Sequence, residues 1–188
     1  MFNIPNLLTL SRIVIIPVFV AVLWFEASIA NWLAFGLFVF ASVTDFFDGY
    51  LARRLNEVSA FGRFLDPIAD KLLVAAALLM LVEMRTINGV HILPTVIILS
   101  REIVVSGLRE YLAEVQISVP VSKVAKWKTA AQMIAICVLL VGSAGPLFTL
   151  EFGLASLWVA AILTIVTGYD YLRAGIAYMA TQDHTPEQ

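Results

Sequence analysis

The sequence has little charge, cysteine or histidine. Charged residues make up 14% of its 188 residues, against about 25% in a typical soluble domain, and 61% of the residues are hydrophobic. The single cysteine, Cys137, excludes an internal disulfide scaffold. The two histidines, His91 and His184, have no partner at metal-ligand spacing. With a mean hydropathy of +0.91, the composition predicts an integral membrane protein.

No Pro/Ser/Gly-rich linker, internal repeat or low-complexity tract divides the chain. We therefore predict one membrane domain over residues 1–181, followed by a disordered tail over residues 182–188. The first spanning segment has the outline of a signal peptide. However, the first eleven residues lack lysine and arginine, and Glu26 interrupts the region where cleavage would occur. An uncleaved first span is therefore favoured.

Six apolar segments are long enough to cross a hydrocarbon core, which needs about 20 helical residues. They lie near Leu8–Phe25, Trp32–Ala52, Pro67–Glu83, Ile92–Ala113, Val124–Gly142 and Phe152–Tyr171. The sixth is expected to continue as a helix towards Thr181. The predicted fold class is an all-α integral membrane protein with six transmembrane helices.

Basic residues are distributed unequally between the two sides of these spans. If the N-terminus is inside, the inner side holds Arg12, Arg53, Arg54, Arg63, Lys71, Lys123, Lys126, Lys128 and Arg173, and the outer side holds only Arg85. Cytoplasmic loops carry the excess of lysine and arginine in membrane proteins. We therefore predict a multi-pass protein of the plasma (inner) membrane with both termini in the cytoplasm.

Four aspartates are concentrated near the inner ends of the second and third spans. Asp45 and Asp48 are three residues apart, and Asp66 and Asp70 are four apart, so each pair lies on one helix face. The connection between the two spans is short, so the four carboxylates are expected to converge at the cytoplasmic end of the bundle. Four converging acids repel one another unless cations intervene.

Two kinds of cation can compensate these acids. Arg53, Arg54 and Lys71 could form a buried ion-pair network with them, which is the structural interpretation. The functional interpretation is a divalent ion, and oxygen ligands without His or Cys favour Mg²⁺, Mn²⁺ or Ca²⁺ over zinc. Ionisable groups within membrane spans usually mark a functional or paired site. We therefore favour metal binding.

The aspartates belong to a longer pattern, Asp45-x2-Asp48-Gly49-x2-Ala52-Arg53-x8-Gly62-x3-Asp66-x3-Asp70. This pattern resembles the full signature of the CDP-alcohol phosphatidyltransferases, with no position missing. Three further stretches are similar to the phosphatidylglycerophosphate synthases within that family: Asn6 to Arg12, Ser100 to Glu110 and Lys126 to Met133. The matching stretches end near Met133, and the rest of the chain is generically apolar.

The resemblance implies a site and a reaction. Two divalent ions, Mg²⁺ or Mn²⁺, would bind Asp45, Asp48, Asp66 and Asp70 and hold the diphosphate of CDP-diacylglycerol, with Asp70 also the catalytic base. Gly49, Ala52, Arg53 and Gly62 would line the nucleotide pocket. The primary hydroxyl of sn-glycerol 3-phosphate would attack the phosphorus attached to diacylglycerol, giving phosphatidylglycerophosphate and CMP. A homodimer is also implied.

A phosphorylated acceptor needs cations. The remaining inner-side cations are Arg101, Arg109, Lys123, Lys126 and Lys128. All of these except Lys123 are candidates for binding the acceptor phosphate. Arginine suits bidentate phosphate binding, whereas lysine acts as a point charge. The alternative role of the lysines is to set topology and attract anionic lipids. The alternative role of the arginines is a salt bridge with the neighbouring Glu102 or Glu110.

Other functions stay open at this point. The signature concerns the shared donor, so the acceptor could instead be inositol phosphate, serine or phosphatidylglycerol. A cation channel or transporter also places acids in the membrane, but distributes them through its depth. A purely structural membrane protein gives no reason for the whole signature. Membrane lipids are expected partners, and nucleic acid is not.

Overall fold

The computed structural model describes residues 4–25, 27–55, 60–115 and 123–182. They form six α-helices: α1 (Ile4–Leu23), α2 (Ser28–Leu55), α3 (Ala60–Glu83), α4 (Ile92–Glu114), α5 (Lys123–Val141) and α6 (Thr149–Gln182). No strand occurs in these ranges, so the predicted all-α class is confirmed. The predicted continuation of the last helix is confirmed as well. Gln182, assigned to the tail, ends α6, and residues 183–188 lie outside the description.

Four helical segments of the described chain are long and apolar enough to cross a membrane: Ser28–Asp45, Gly89–Glu114, Lys126–Ala144 and Thr149–Arg173. Leu8–Leu23 is apolar but shorter. The third helix is less apolar at its start, because it carries Arg63, Asp66, Asp70 and Lys71 in its first half. A multi-pass membrane protein is therefore confirmed. The number of six spans and their orientation stay predictions.

The long helices expose apolar side chains and bury polar ones. Ile103 on α4 and Ile162 on α6 are 70% and 57% exposed, whereas Lys128 on α5 and Thr167 on α6 are buried. Water-soluble proteins rarely expose large contiguous apolar patches. In lipid, by contrast, polar groups are expected to face the protein interior. The pattern of exposure therefore agrees with the apolar spans.

The chain forms two compact units. The first comprises Met1–Asn88 and Ile136–Gly153, and the second comprises Gly89–Ala135 and Leu154–Gln188. In the first unit, α1 packs against both α2 and α3. The rings of Phe19 on α1 and Phe38 on α2 are fully buried, with their centroids 6.4 Å apart. A single domain over residues 1–181 stays a prediction.

In the second unit, α4 and α6 run parallel and in register. The indole Nε1–H of Trp158 donates a hydrogen bond of 3.0 Å to Nδ1 of His91, 67 residues earlier in the chain. The same separation relates two further close pairs, Arg101 with Gly168 and Leu108 with Gly175. Because the separation is constant, the two helices advance in the same direction. This register brings the middle of α6 against Arg101.

Candidate functional site

Two of the predicted metal ligands lie against α1 in the first unit. The guanidinium Nη1 of Arg12 is 2.5 Å from Oδ1 of Asp45, which lies on α2. The hydroxyl of Thr9 donates a hydrogen bond of 2.6 Å to Oδ1 of Asp66, which lies on α3. Thr9 and Arg12 are three residues apart and therefore share one face of α1. Carboxylates from two different helices thus meet on the same face of a third.

Burial differs between the members of this cluster. Arg12 is fully buried and Thr9 is nearly so, whereas the side chain of Asp45 is 40% exposed. A buried arginine carries a large desolvation cost unless an anion accompanies it, and Asp45 supplies that anion. The cation therefore lies inside the protein and the carboxylate lies at its boundary, where a ligand can reach it.

Other residues of the signature lie on α3. Gly62 is buried one turn before Asp66, and Asp70 is exposed one turn after it. Lys71, which the sequence offered as a compensating cation, donates a hydrogen bond of 2.9 Å from Nζ to the carbonyl oxygen of Pro67. In the described cluster, the cation paired with Asp45 is thus Arg12 of α1.

The remaining signature residues belong to the C-terminal part of α2. The side chains of Asp48, Gly49, Ala52 and Arg53 lie outside the described residues, so their roles stay predictions. Among the side chains that are described, no three Asp, Glu, His or Cys residues lie close enough to hold one metal ion. The described part of the site therefore contains Asp45 and Asp66 with their α1 partners, and Asp70 nearby in sequence.

A second cluster of charges lies in the second unit. The ammonium of Lys128 on α5 forms an ion pair and hydrogen bond with Oε1 of Glu102 on α4. Arg101 Nη1 lies 3.7 Å from the same oxygen. The side chains of Arg101 and Lys128 are only 14% and 6% exposed. Two largely buried cations therefore share one carboxylate.

Arg101 also contacts α6. Its Nη2 donates a hydrogen bond of 3.2 Å to Oγ1 of Thr167. Its guanidinium carbon lies 6.0 Å from the centroid of the Tyr171 ring, within the range of a cation–π interaction. Its Nε is buried and has no hydrogen-bond acceptor in the described part of the protein. The contact of Arg101 with Glu102, the alternative role considered for this arginine, is therefore only one of several contacts.

The four predicted acceptor-binding residues do not all meet. Arg101 and Lys128 converge on Glu102. Arg109 on α4 and Lys126 on α5 are exposed. Within the described ranges, no ion pair joins Arg109 or Lys126 to another residue. Their role in acceptor binding stays a prediction.

Five residues of these clusters have no role assigned from the sequence. Thr9 and Arg12 lie in a stretch that carries the family resemblance, and an arginine within an apolar helix is itself a signal of function or pairing. Thr167, Gly168 and Tyr171 lie in the generically apolar part of the chain. No motif or spacing there singles them out.

Comparison with known proteins agrees with the signature. The profile of the CDP-alcohol phosphatidyltransferase family matches residues 2–166. The Rickettsia typhi protein named CDP-diacylglycerol–glycerol-3-phosphate 3-phosphatidyltransferase is 48% identical over 180 residues, covering 95% of this chain and 99% of that protein. Proteins of the same name are 44% identical in Escherichia coli (strain K12), covering 96% and 99%, and 40% identical in Cereibacter sphaeroides, covering 95% and 97%. The chain therefore belongs to the CDP-alcohol phosphatidyltransferase family.

Proposed function

We propose that this chain transfers the phosphatidyl group of CDP-diacylglycerol to sn-glycerol 3-phosphate, giving phosphatidylglycerophosphate and CMP. One observation carries the proposal. Relatives that are 40–49% identical over at least 92% of this chain all bear the name of an enzyme for these two substrates. The complete signature from Asp45 to Asp70 supports CDP-diacylglycerol as the donor. The cationic cluster around Arg101 supports a phosphorylated acceptor.

The reaction is a direct displacement at phosphorus. The primary hydroxyl oxygen of glycerol 3-phosphate bonds to the phosphorus that carries diacylglycerol, and the bond from that phosphorus to the oxygen of CMP breaks. The hydroxyl proton passes to the carboxylate of Asp70, which is exposed one turn after Asp66. CMP leaves with the bonding electron pair. The balance is complete without a covalent enzyme intermediate.

Divalent ions, two Mg²⁺ or Mn²⁺, belong to this proposal. Carboxylate oxygens are the ligands that these ions prefer. Asp45 and Asp66 present such oxygens from two helices on one face of α1. Asp45, Asp48, Asp66 and Asp70 would hold the ions. When bound, such ions neutralise the diphosphate and the departing CMP. Thr9 and Arg12 orient two of the four carboxylates.

The nucleotide is proposed to lie beside the signature's small residues. Gly62 is buried one turn before Asp66 on α3. A glycine lets a ligand approach the backbone closely, because it has no Cβ. Gly62, Gly49, Ala52 and Arg53 are therefore the proposed lining of the CDP pocket.

The acceptor phosphate is proposed to bind Arg101 and Lys128. These two cations converge on Glu102, and Arg101 lies 3.7 Å from that carboxylate, farther than Lys128 does. Arg109 and Lys126 are exposed cations of the same unit and are proposed to attract the acceptor. Arginine provides paired N–H donors that match two phosphate oxygens.

The proposal includes a location and an assembly state. We infer six transmembrane helices in the plasma membrane, with α1 and α3 added to the four long apolar segments. Both termini and the active site are cytoplasmic by the distribution of lysine and arginine. The lipid donor then keeps its acyl chains in the bilayer while its head group meets a cytosolic acceptor. The assembly is proposed to be a homodimer.

The test is an assay of CMP release by the purified protein in detergent with CDP-diacylglycerol and Mg²⁺ or Mn²⁺. Glycerol 3-phosphate, inositol phosphate, serine and phosphatidylglycerol are supplied one at a time. Asp70→Asn and a chelator are each expected to abolish release. Glu83→Gln is the matched control, because Glu83 is an exposed carboxylate at the other end of α3.

Release with glycerol 3-phosphate alone supports the proposed acceptor. Release with a different acceptor keeps the transferase reaction and replaces the substrate. If folded protein releases no CMP with any acceptor, the aspartates belong to an ion pathway or a structural network instead. Activity that survives the chelator rules out the metal-dependent mechanism.

A further inference from the structure

The side chain of Arg101, a residue of α4, lies against the surface of α6. Arginine has a long, flexible side chain, and holding it in one geometry before a ligand arrives reduces the entropy lost on binding. A phosphate-binding arginine in this protein therefore gains from neighbours that hold its guanidinium plane. Three such neighbours are present on α6, each through a different physical contact.

Thr167 fixes one edge of the guanidinium. Its hydroxyl donates a hydrogen bond of 2.8 Å to the carbonyl oxygen of Leu163, one turn earlier on α6. With its proton used there, the hydroxyl oxygen accepts a hydrogen bond from Arg101 Nη2 at 3.2 Å. Thr167 is 1% exposed, so water does not compete for this bond. The direction of the bond is therefore set by the backbone of α6.

Tyr171 supports the face of the guanidinium. The guanidinium carbon lies 6.0 Å from the ring centroid, and Tyr171 is buried. A desolvated cation–π contact is stronger than an exposed one. Tyr171 lies four residues after Thr167 and therefore on the same face of α6. The edge and the face of one guanidinium are thus held by the same helix surface.

Gly168 makes room for the arginine stem. A Cβ at this position would lie 3.0 Å from Arg101 Cγ and 3.5 Å from Nε. A side chain here would therefore require the arginine stem to shift by a few tenths of an ångström. The absence of a side chain at Gly168 lets Arg101 lie close enough to reach Thr167 and Tyr171.

The charge around Arg101 leaves it able to bind an anion. Glu102 lies 3.7 Å from Arg101 but forms its close contact with Lys128. The buried Nε has no acceptor among the described residues. A buried donor without a partner lowers stability. Contacts among the described residues therefore do not use the whole donor set of Arg101.

We propose that Thr167, Gly168 and Tyr171 are positioning residues that aim Arg101 at the phosphate of the acceptor and so set its affinity. The inference rests on the proposed function, because it takes Arg101 as a ligand of that phosphate. The positioning residues come from a part of the chain without family motifs. They would therefore act on acceptor binding while the aspartate signature acts on the donor.

The experiment compares Thr167→Val, Gly168→Ala, Tyr171→Leu and Tyr171→Phe in the full-length protein. KM for glycerol 3-phosphate, KM for CDP-diacylglycerol and kcat are measured for each, with thermal unfolding in detergent as the test of folding. Loss of a hydrogen bond to a charged group predicts a rise of about tenfold in KM for glycerol 3-phosphate in Thr167→Val. Loss of the ring predicts a rise of roughly threefold to tenfold in Tyr171→Leu.

Each variant has a matched control on the same helices. Thr164→Val removes a buried hydroxyl that has no partner, Tyr169→Leu removes an exposed ring, and Gly107→Ala adds a Cβ with no atom within 4 Å. The controls are expected to keep wild-type kinetics. Tyr171→Phe keeps the ring under the guanidinium and is expected to behave like the wild type.

The variant Arg101→Gln distinguishes failure of this inference from failure of the proposed function. A raised KM for glycerol 3-phosphate in Arg101→Gln, Thr167→Val, Gly168→Ala and Tyr171→Leu, with kcat and the KM for CDP-diacylglycerol unchanged, supports positioning. A raised KM in Arg101→Gln while the α6 variants match their controls overturns positioning alone. If Arg101→Gln has the wild-type KM for glycerol 3-phosphate, Arg101 does not bind the acceptor phosphate. That assignment and the inference are then both overturned. If both KM values rise and kcat falls by similar factors, with a lower unfolding temperature, the α6 residues have a merely structural role and the inference is overturned.

Discussion

Arg12 of α1 is fully buried while its partner Asp45 of α2 is partly exposed, with 2.5 Å between Nη1 and Oδ1. The arginine therefore supplies the positive charge on the protein side of a carboxylate that is also a proposed metal ligand. A divalent ion would supply positive charge to the same carboxylate from the outer side. The two cations act on one anion, so their effects on stability should be linked.

Arg12→Gln is expected to destabilise the metal-free protein by up to about 3 kcal/mol, because removing one partner leaves the other charge uncompensated. Added Mn²⁺ should restore part of this loss, since it replaces the missing positive charge. Thermal unfolding in detergent, with and without Mn²⁺, measures both effects. The control is Arg85→Gln, an exposed arginine just after α3. Equal unfolding temperatures and equal Mn²⁺ responses in the two variants would contradict the link.

Thr9→Val should weaken metal binding, although the two side chains have nearly the same shape. The substitution removes the hydrogen bond of 2.6 Å to Asp66. Loss of a residue that orients a metal ligand typically lowers metal affinity by about tenfold to a hundredfold. Free Mn²⁺ measured by electron paramagnetic resonance during titration gives the affinity independently of activity. Thr95→Val, which removes a buried hydroxyl without a hydrogen-bond partner, should bind Mn²⁺ like the wild type. Wild-type affinity in Thr9→Val would remove Thr9 from the metal site.

Glu102→Gln should destabilise the second unit by about 3 kcal/mol, because it leaves the buried ammonium of Lys128 without its carboxylate. Adding Lys128→Met to this variant should recover part of the loss, since the buried ammonium is then removed. A double-mutant cycle by denaturant unfolding in detergent gives the coupling between the two residues. Additive losses would show that the ion pair contributes no coupling energy.

Gly175→Val tests the packing of α4 on α6. A Cβ at Gly175 would lie 2.6 Å from Leu108 Cδ1 and 3.2 Å from its Cγ, so the leucine must move. Overpacking of this kind costs about 1–3 kcal/mol. Gly107→Val on α4 is the comparison, because a Cβ there meets no atom within 4 Å. Thermal unfolding should show a larger loss of stability at Gly175, and equal losses would show that Leu108 moves aside at no cost.

The helices of this fold are predictable because hydrophobic burial and helix length act locally. Each apolar segment of the sequence corresponds to one helix. The start of α3 differs, since the helix begins at Ala60 rather than near Pro67. Residues 60–66 include Arg63 and Asp66, so hydropathy alone does not extend the segment over them. A helix whose first turns carry charged residues cannot be recognised at its full length by apolar content.

The site is predictable only where its residues lie close together in sequence. The spacing of Asp45 with Asp48, and of Asp66 with Asp70, predicts one helix face for each pair. The contact from Thr9 to Asp66 spans 57 residues, and no local pattern encodes it. The contacts of Arg101 with Thr167 and Tyr171 depend on the register of α4 against α6. A single sequence contains no measure of that register.

The parallel register of α4 and α6 has a consequence for how the chain can change length. Arg101 and Leu108 on one helix face Gly168 and Gly175 on the other, at matched intervals of seven residues. Deleting one residue between Gly168 and Gly175 would rotate the end of α6 by about 100° and break the second contact while keeping the first. A deletion in the connection between α5 and α6 would disturb neither interval. Variation in length is therefore expected in the connection between α5 and α6 and not between Gly168 and Gly175.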